Sequence, residues 1–259
     1  MQLSTRIRGM KGAHWLAVFG VILAGWTMLY GMSLPSDIRA AGRIYGAEFW
    51  QTLCTVTPDA AGLARLWLMW VAMAAAMMLP TFLPALATYE DLSASGAATG
   101  CGVLALMAGY LGIWLGFAAL AAGVQMALTG AGLLTPLGQS GARWFSAALL
   151  FGAGAYQFTA LKEACLSQCR QPLTFFMQHW RPGAAHAAVM GLRLGAVCLG
   201  CCWALMALAF VGGTMNLAWM GLATVLMIVE KLPDLGRLLT RPLGGALIVA
   251  AALTAAGVI

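Results

Sequence analysis

Four sulfur ligands fall within nine residues of one apolar stretch: Cys198, Cys201, Cys202 and Met206. Cys198, Cys202 and Met206 recur at every fourth residue. In a helix this puts two thiols and a thioether on one face, with Cys201 a short step round from them. Cysteines at this spacing within one helix run roughly parallel and match disulfide torsions poorly. A second pair at helical spacing, Cys165 and Cys169, lies upstream between Lys162 and Arg170, two cations that would favour the metal-binding thiolate form. A third row, Met69, Met73 and Met77, also steps by four, just ahead of Pro80 and Pro84. Thiolates and thioethers suit soft metals, copper as Cu(I) above all with zinc as the alternative, and are poor ligands for magnesium or calcium. The competing reading is packing, with Met filling gaps between helices and Cys serving as a small hydrophobe. A redox pair formed between the two cysteine clusters is a third reading.

The elements that carry these residues are set by composition. The chain has 259 residues, 62% of them hydrophobic and 8% charged, and its mean hydropathy is +0.86. Soluble domains carry about 25% charged residues, so too few charges are present to cover a water-facing surface. No Lys/Arg cluster with interleaved aromatics occurs, which argues against nucleic acid as a partner and leaves the lipid bilayer, together with partner membrane proteins, as the expected surroundings. Apolar stretches of spanning length, roughly 17–25 residues, occur near His14–Met32, Leu63–Thr88, Gly100–Thr129, Ala142–Leu161, His186–Val211, Met215–Leu232 and Leu243–Val258. The expected fold is therefore an all-α polytopic transmembrane helix bundle of about seven spans, forming a single membrane domain.

Basic residues set the orientation. With a cytoplasmic N-terminus, Arg6, Arg8, Lys11, Lys162, Arg170, Arg181, Lys231, Arg237 and Arg241 lie inside, while Arg39, Arg43, Arg65 and Arg143 lie outside. This makes the chain a multi-pass protein of a cell inner membrane, its first span an uncleaved anchor. The connection carrying Glu90 and Asp91 fits less well, since it should be cytoplasmic yet has no basic residue. An outer segment contains Asp37, Glu48, Cys54 and Asp59. An inner one, from Cys165 to Ala185, contains Phe175, Phe176 and Trp180 and reads as interfacial, with its aromatics dipping into the headgroups.

Charges inside spans are costly and therefore informative. Arg193 lies about two turns into the fifth stretch, and Glu230 and Lys231 close the sixth, so an Arg193–Glu230 pair between neighbouring helices is expected. The alternative is that Arg193 snorkels to the headgroups. His14, His179 and His186 sit at membrane edges and read as interfacial residues. No phosphate-binding glycine loop, His-Glu-x-x-His or nucleophile elbow is present, so an enzyme is not the first reading.

Several segments together resemble a bacterial family, the domain of unknown function 2182 family, described as predicted metal-binding integral membrane proteins. The resembling stretches are Trp-Val-Ala-Met-Ala-Ala-Ala-Met-Met-Leu-Pro at 70–80, Tyr156 with Gln157, and Leu-Lys-Glu-Ala-Cys-Leu-Ser-Gln-Cys-Arg-Gln-Pro at 161–172. They continue with Cys-Leu-Gly-Cys-Cys-Trp-Ala-Leu-Met at 198–206, Gly-Thr-Met-Asn-Leu-Ala-Trp-Met at 213–220, and Glu230 with Lys231. The resemblance implies a membrane fold and metal binding and supplies no reaction. Three functions remain open at this point: a metal-handling membrane protein, a membrane thiol–disulfide protein, and a structural or assembly subunit of a larger membrane complex.

Overall fold

The computed structural model describes residues 13–34, 57–94, 100–135 and 137–258. The residues Arg6, Arg8, Lys11, Asp37, Arg39, Arg43, Glu48 and Cys54 lie outside the described residues. Those described form α1 (Ala13–Ser33), α2 (Ala60–Ala94), α3 (Gly100–Gly130), α4 (Arg143–Tyr156), α5 (Ala160–Arg170), α6 (Pro172–His179), α7 (Ala184–Ala207), α8 (Ala209–Gly212), α9 (Leu217–Glu230) and α10 (Leu235–Ala256). The bundle is all-α, as its composition requires.

All seven apolar stretches are helical, but they differ in length. Five helices, α1, α2, α3, α7 with α8, and α10, are long and apolar enough to cross a membrane. α4 and α9 have 14 residues each, about 21 Å at 1.5 Å per residue, short of a hydrocarbon core of roughly 30 Å. Local caps cut them. Thr159 accepts the Lys162 N–H and starts α5 afresh after a turn at Tyr156. Asn216 accepts the Trp219 N–H and opens α9, after Gly213 has turned the chain with a φ of 92°. Leucines such as Leu16, Leu120 and Leu238 point outward, the arrangement expected of a surface that meets lipid.

α2 runs through Pro80 and Pro84. Pro80 has no N–H to give the Ala76 carbonyl one turn earlier, and Trp26 Nε1 of α1 takes that carbonyl at 3.1 Å. α1 fits closely here because Gly25 lies against Ala72 and Ala76. At the same end His14 Nε2 pairs with Glu90, and Trp15 Nε1 donates to Glu90 at 2.6 Å. The acidic end of α2 therefore has partners on α1.

α3 and α7 form the tightest pair. A Cβ at Gly191 would collide with the Leu106 carbonyl oxygen, and one at Gly109 with the Ala188 carbonyl oxygen, so the two backbones touch only because these positions are glycine. Gly191→Leu is expected to force the pair apart, lowering stability by about 1–3 kcal/mol or more; thermal unfolding in detergent reads the loss.

α5 and α6 each have one buried and one exposed face. Phe175 and Phe176 are buried, and Phe176 meets Tyr89 edge-on at 5.6 Å. Their rings pack into the end of α2, while Leu173 and Met177 on the other face of α6 are exposed.

Candidate metal centre

The sulfurs of Cys198, Cys201 and Cys202 lie within 4.8 Å of one another, and all three residues are buried. Cys201 and Cys202 sulfurs are 3.3 Å apart, and Cys201 donates to the Cys198 carbonyl at 3.1 Å. From α5, the Cys169 sulfur approaches Cys201 at 3.9 Å. With metal–sulfur bonds near 2.3 Å, ligand sulfurs around one ion stand about 4.0 Å apart in a planar triangle and about 3.8 Å apart in a tetrahedron. The observed spacings are of that size. Cys165 lies nearby, its sulfur so close to Gly200 that a Cβ there would come within 2.6 Å of it. Tyr156 Oη fixes the same turn by donating to the Gly200 carbonyl at 2.6 Å.

The polar neighbours differ from those expected. Lys162 and Arg170 do not face the thiols. Lys162 Nζ is spent on Glu230, at 2.9 and 3.0 Å from its two carboxylate oxygens, with both side chains 1% exposed. Arg170 donates to Glu163 (3.2 Å), to the Glu230 carbonyl (2.9 Å) and to Thr240 (3.1 Å). Burial accordingly pushes the Cys165 thiol up, not down. Cys169 also rises, chiefly through its hydrogen bond with Cys198.

The cation at the cluster is Lys231, the residue after Glu230. Its Nζ lies 3.0 Å from the Cys198 sulfur and 2.8 Å from Thr81 Oγ1. Tyr110 Oη of α3 is 3.1 Å from the same sulfur and also donates to the Met78 carbonyl at 3.2 Å. Cys198 thus sits among groups from α2, α3 and the end of α9. The lysine was legible as an intramembrane charge, whereas Thr81 and Tyr110 carry no sulfur or charge and gave no signal in the sequence.

The Arg193–Glu230 pair is not formed. Arg193 is exposed, since five residues place it about 140° round α7 from Cys198 at 100° per residue, and Glu230 belongs to Lys162. His179 and His186 bond the Phe175 and Pro182 carbonyls of their own segments. Met69, Met73, Met77 and Met206 are all buried at 2% exposure or less.

A cavity of about 460 Å³ opens onto the cluster, lined by Cys198, Cys169, Lys231, Arg170, Tyr110 and Thr81 among others. No carboxylate lines it.

Charge explains the lysine. A monovalent ion held by two thiolates carries a net −1, which is costly in a low-dielectric interior unless compensated. A cation about 4 Å away offsets this by about 4 kcal/mol at an effective dielectric of 20. Lys231→Met is expected to weaken Cu(I) binding by about 100-fold or more; competition with a colorimetric Cu(I) chelator measures it.

Fold and site together define a helical bundle with a buried cluster of cysteine sulfurs close enough to share one metal ion. The family model described as PpoB2, copper chaperone, matches residues 67–254, and the chain belongs to this copper-chaperone family. No curated protein and no solved structure matches it.

Proposed function

We propose that this chain is a membrane copper chaperone that accepts Cu(I) on Cys198, Cys201 and Cys202, with Cys169 as an entry ligand. The observation that carries this reading is the convergence of three buried sulfurs of one helix turn, a fourth from α5 and a compensating ammonium at one point. The cavity beside Cys198 gives a donor access. Acquisition is a ligand exchange without redox change: the bond between Cu(I) and a carrier thiolate breaks, a bond to a cysteine sulfur forms, and the cysteine proton passes to the departing thiolate. Cys169 leads because, of the two cysteines that line the cavity, it is the less buried, Cys198 lying deeper.

The membership in a copper-chaperone family supports copper over zinc, as do the buried thioethers of Met73, Met77 and Met206, which are ligands for Cu(I) and poor ones for zinc. The resemblance to the domain of unknown function 2182 family is compatible with this reading. The distribution of basic residues supports an N-terminus in the cytoplasm of a bacterial cell, with the thiols near the inner face of the inner membrane, where they stay reduced. The test is the copper content of protein purified under reducing, copper-replete conditions. About one Cu(I) per chain, retained against a chelator, is the expected result; protein that takes up no copper overturns the proposal.

A further inference from the structure

The methionines of α2 and α9 are not used by the thiol site, and their register gives them a role. α2, α7 with α8, and α9 are tied at two levels. At the first, Lys231 touches both Thr81 (2.8 Å) and Cys198 (3.0 Å). At the second, the Trp70 ring meets Phe210 at 5.6 Å and Trp219 Nε1 donates to the Leu208 carbonyl at 2.9 Å. The separations between these levels, Thr81 to Trp70, Cys198 to Phe210 and Lys231 to Trp219, are all 11 or 12 residues, about 16–18 Å of helix. The three helices therefore stay in step. One turn from the first level come Met77, Cys202 and Met227; a further turn brings Met73 and Met206; Met220 stands at the second level.

Every one of these residues is 2% exposed or less. On α9, Met220, Met227 and Lys231 fall within about 40° of one another at 100° per residue, so its thioethers share the face that carries the lysine to Cys198. Steps of four drift by about 40° each. Met77 lies about 40° and Met73 about 80° from Thr81 on α2, while Met69 has turned about 120°, closest of the three to the face that Gly25 of α1 covers at Ala72 and Ala76. The sequence row of three thus divides: Met73 and Met77 belong to the interior with Cys202 and Met206, and Met69 does not.

Beyond the second level, hydrogen bonds join neighbouring segments among the described residues. Trp70 Nε1 donates to Gln125 (2.7 Å), Ser140 N to the Phe210 carbonyl (2.7 Å), and Thr214 Oγ1 to the Leu137 carbonyl (3.1 Å). The cavity opens at the opposite level, on Cys198.

From this geometry we infer a second Cu(I) site, a column of thioethers made by Met73, Met77, Met206 and Met227, entered through Cys202 of the thiol cluster. It rests on the copper reading of that cluster and adds to it a weaker, neutral-ligand stage leading away from the cavity. Handing Cu(I) from the cysteines to thioethers breaks each copper–thiolate bond in turn, that to Cys202 last, and forms copper–thioether bonds in their place; each released thiolate takes a proton from water entering through the cavity on Cys198, and no electron moves.

The test is a Cu(I) titration of the full chain in detergent under reducing conditions, with chelators of graded strength. Wild type is expected to show a tight class and a second, weaker class. Met73→Leu/Met77→Leu/Met206→Leu, which nearly conserves volume, is expected to keep the tight class and weaken the second at least tenfold, while Met69→Leu leaves both unchanged. A wild type with only the tight class, a triple variant that titrates like wild type, or a Met69→Leu protein that loses the second class overturns the inference and leaves the thiol site standing. A wild type that binds no copper at all overturns both.

Discussion

Glu230→Gln is expected to cost about 3–5 kcal/mol of stability, the usual penalty for removing one partner of a buried ion pair. Lys162 Nζ reaches both carboxylate oxygens, and neither residue is exposed beyond 1%. Glutamine leaves the ammonium with a single neutral acceptor and no water. Thermal unfolding in detergent should show a large drop in midpoint. The companion variant Lys162→Met/Glu230→Met removes both charges and should recover most of the loss, because an apolar pair of similar volume carries no desolvation penalty. A Glu230→Gln protein as stable as wild type would show that the pair does not bear this load. The effect reaches the thiols as well. Glu230 and Arg170 join the end of α9 to α5, and these two elements bring Lys231 and Cys169 to the cluster. Loosening that junction should also weaken Cu(I) binding.

Cys198→Ser/Cys202→Ser is expected to reduce Cu(I) affinity by on the order of 10⁴-fold or more. A closed four-ligand metal site releases about 10–16 kcal/mol on binding, so each ligand accounts for about 3–4 kcal/mol, and two are lost. Serine is nearly isosteric with cysteine but offers a hard hydroxyl, which a soft ion does not accept in exchange. Chelator competition measures the change, and unaltered unfolding would show that the fold survives. Retention of wild-type affinity would place the metal elsewhere.

The sequence made the helices legible because membrane spans announce themselves through length and apolarity, and the thiol cluster legible because its three cysteines lie within two turns of one helix. Long-range partners were less accessible. Arg193 and Lys162 both lie within reach of Glu230 along the chain; the choice between them depends on which side of α7 faces inward, and Arg193 is on the wrong side. Hydropathy also passed over the caps at Thr159 and Asn216, which end or open helices without changing local apolarity, so the fourth and sixth stretches came out shorter than expected. Lys162 and Arg170 sit beside Cys165 and Cys169 in sequence yet turn to Glu230 and Thr240: Arg170 is about 100° round α5 from Cys169, and Lys162, on nearly the same face as Cys169, lies two turns away along the helix. Tyr110, polar only through its hydroxyl, could be found at Cys198 only once α3 was seen to pack on α7.

The most direct test of the metal centre is X-ray absorption at the copper edge on the reduced, copper-loaded protein. Coordination by two or three sulfurs at the distance of Cu(I)–thiolate bonds, lost in Cys198→Ser/Cys202→Ser, is the result expected. A shell of nitrogen or oxygen ligands, or a sulfur shell unchanged in that variant, would contradict it.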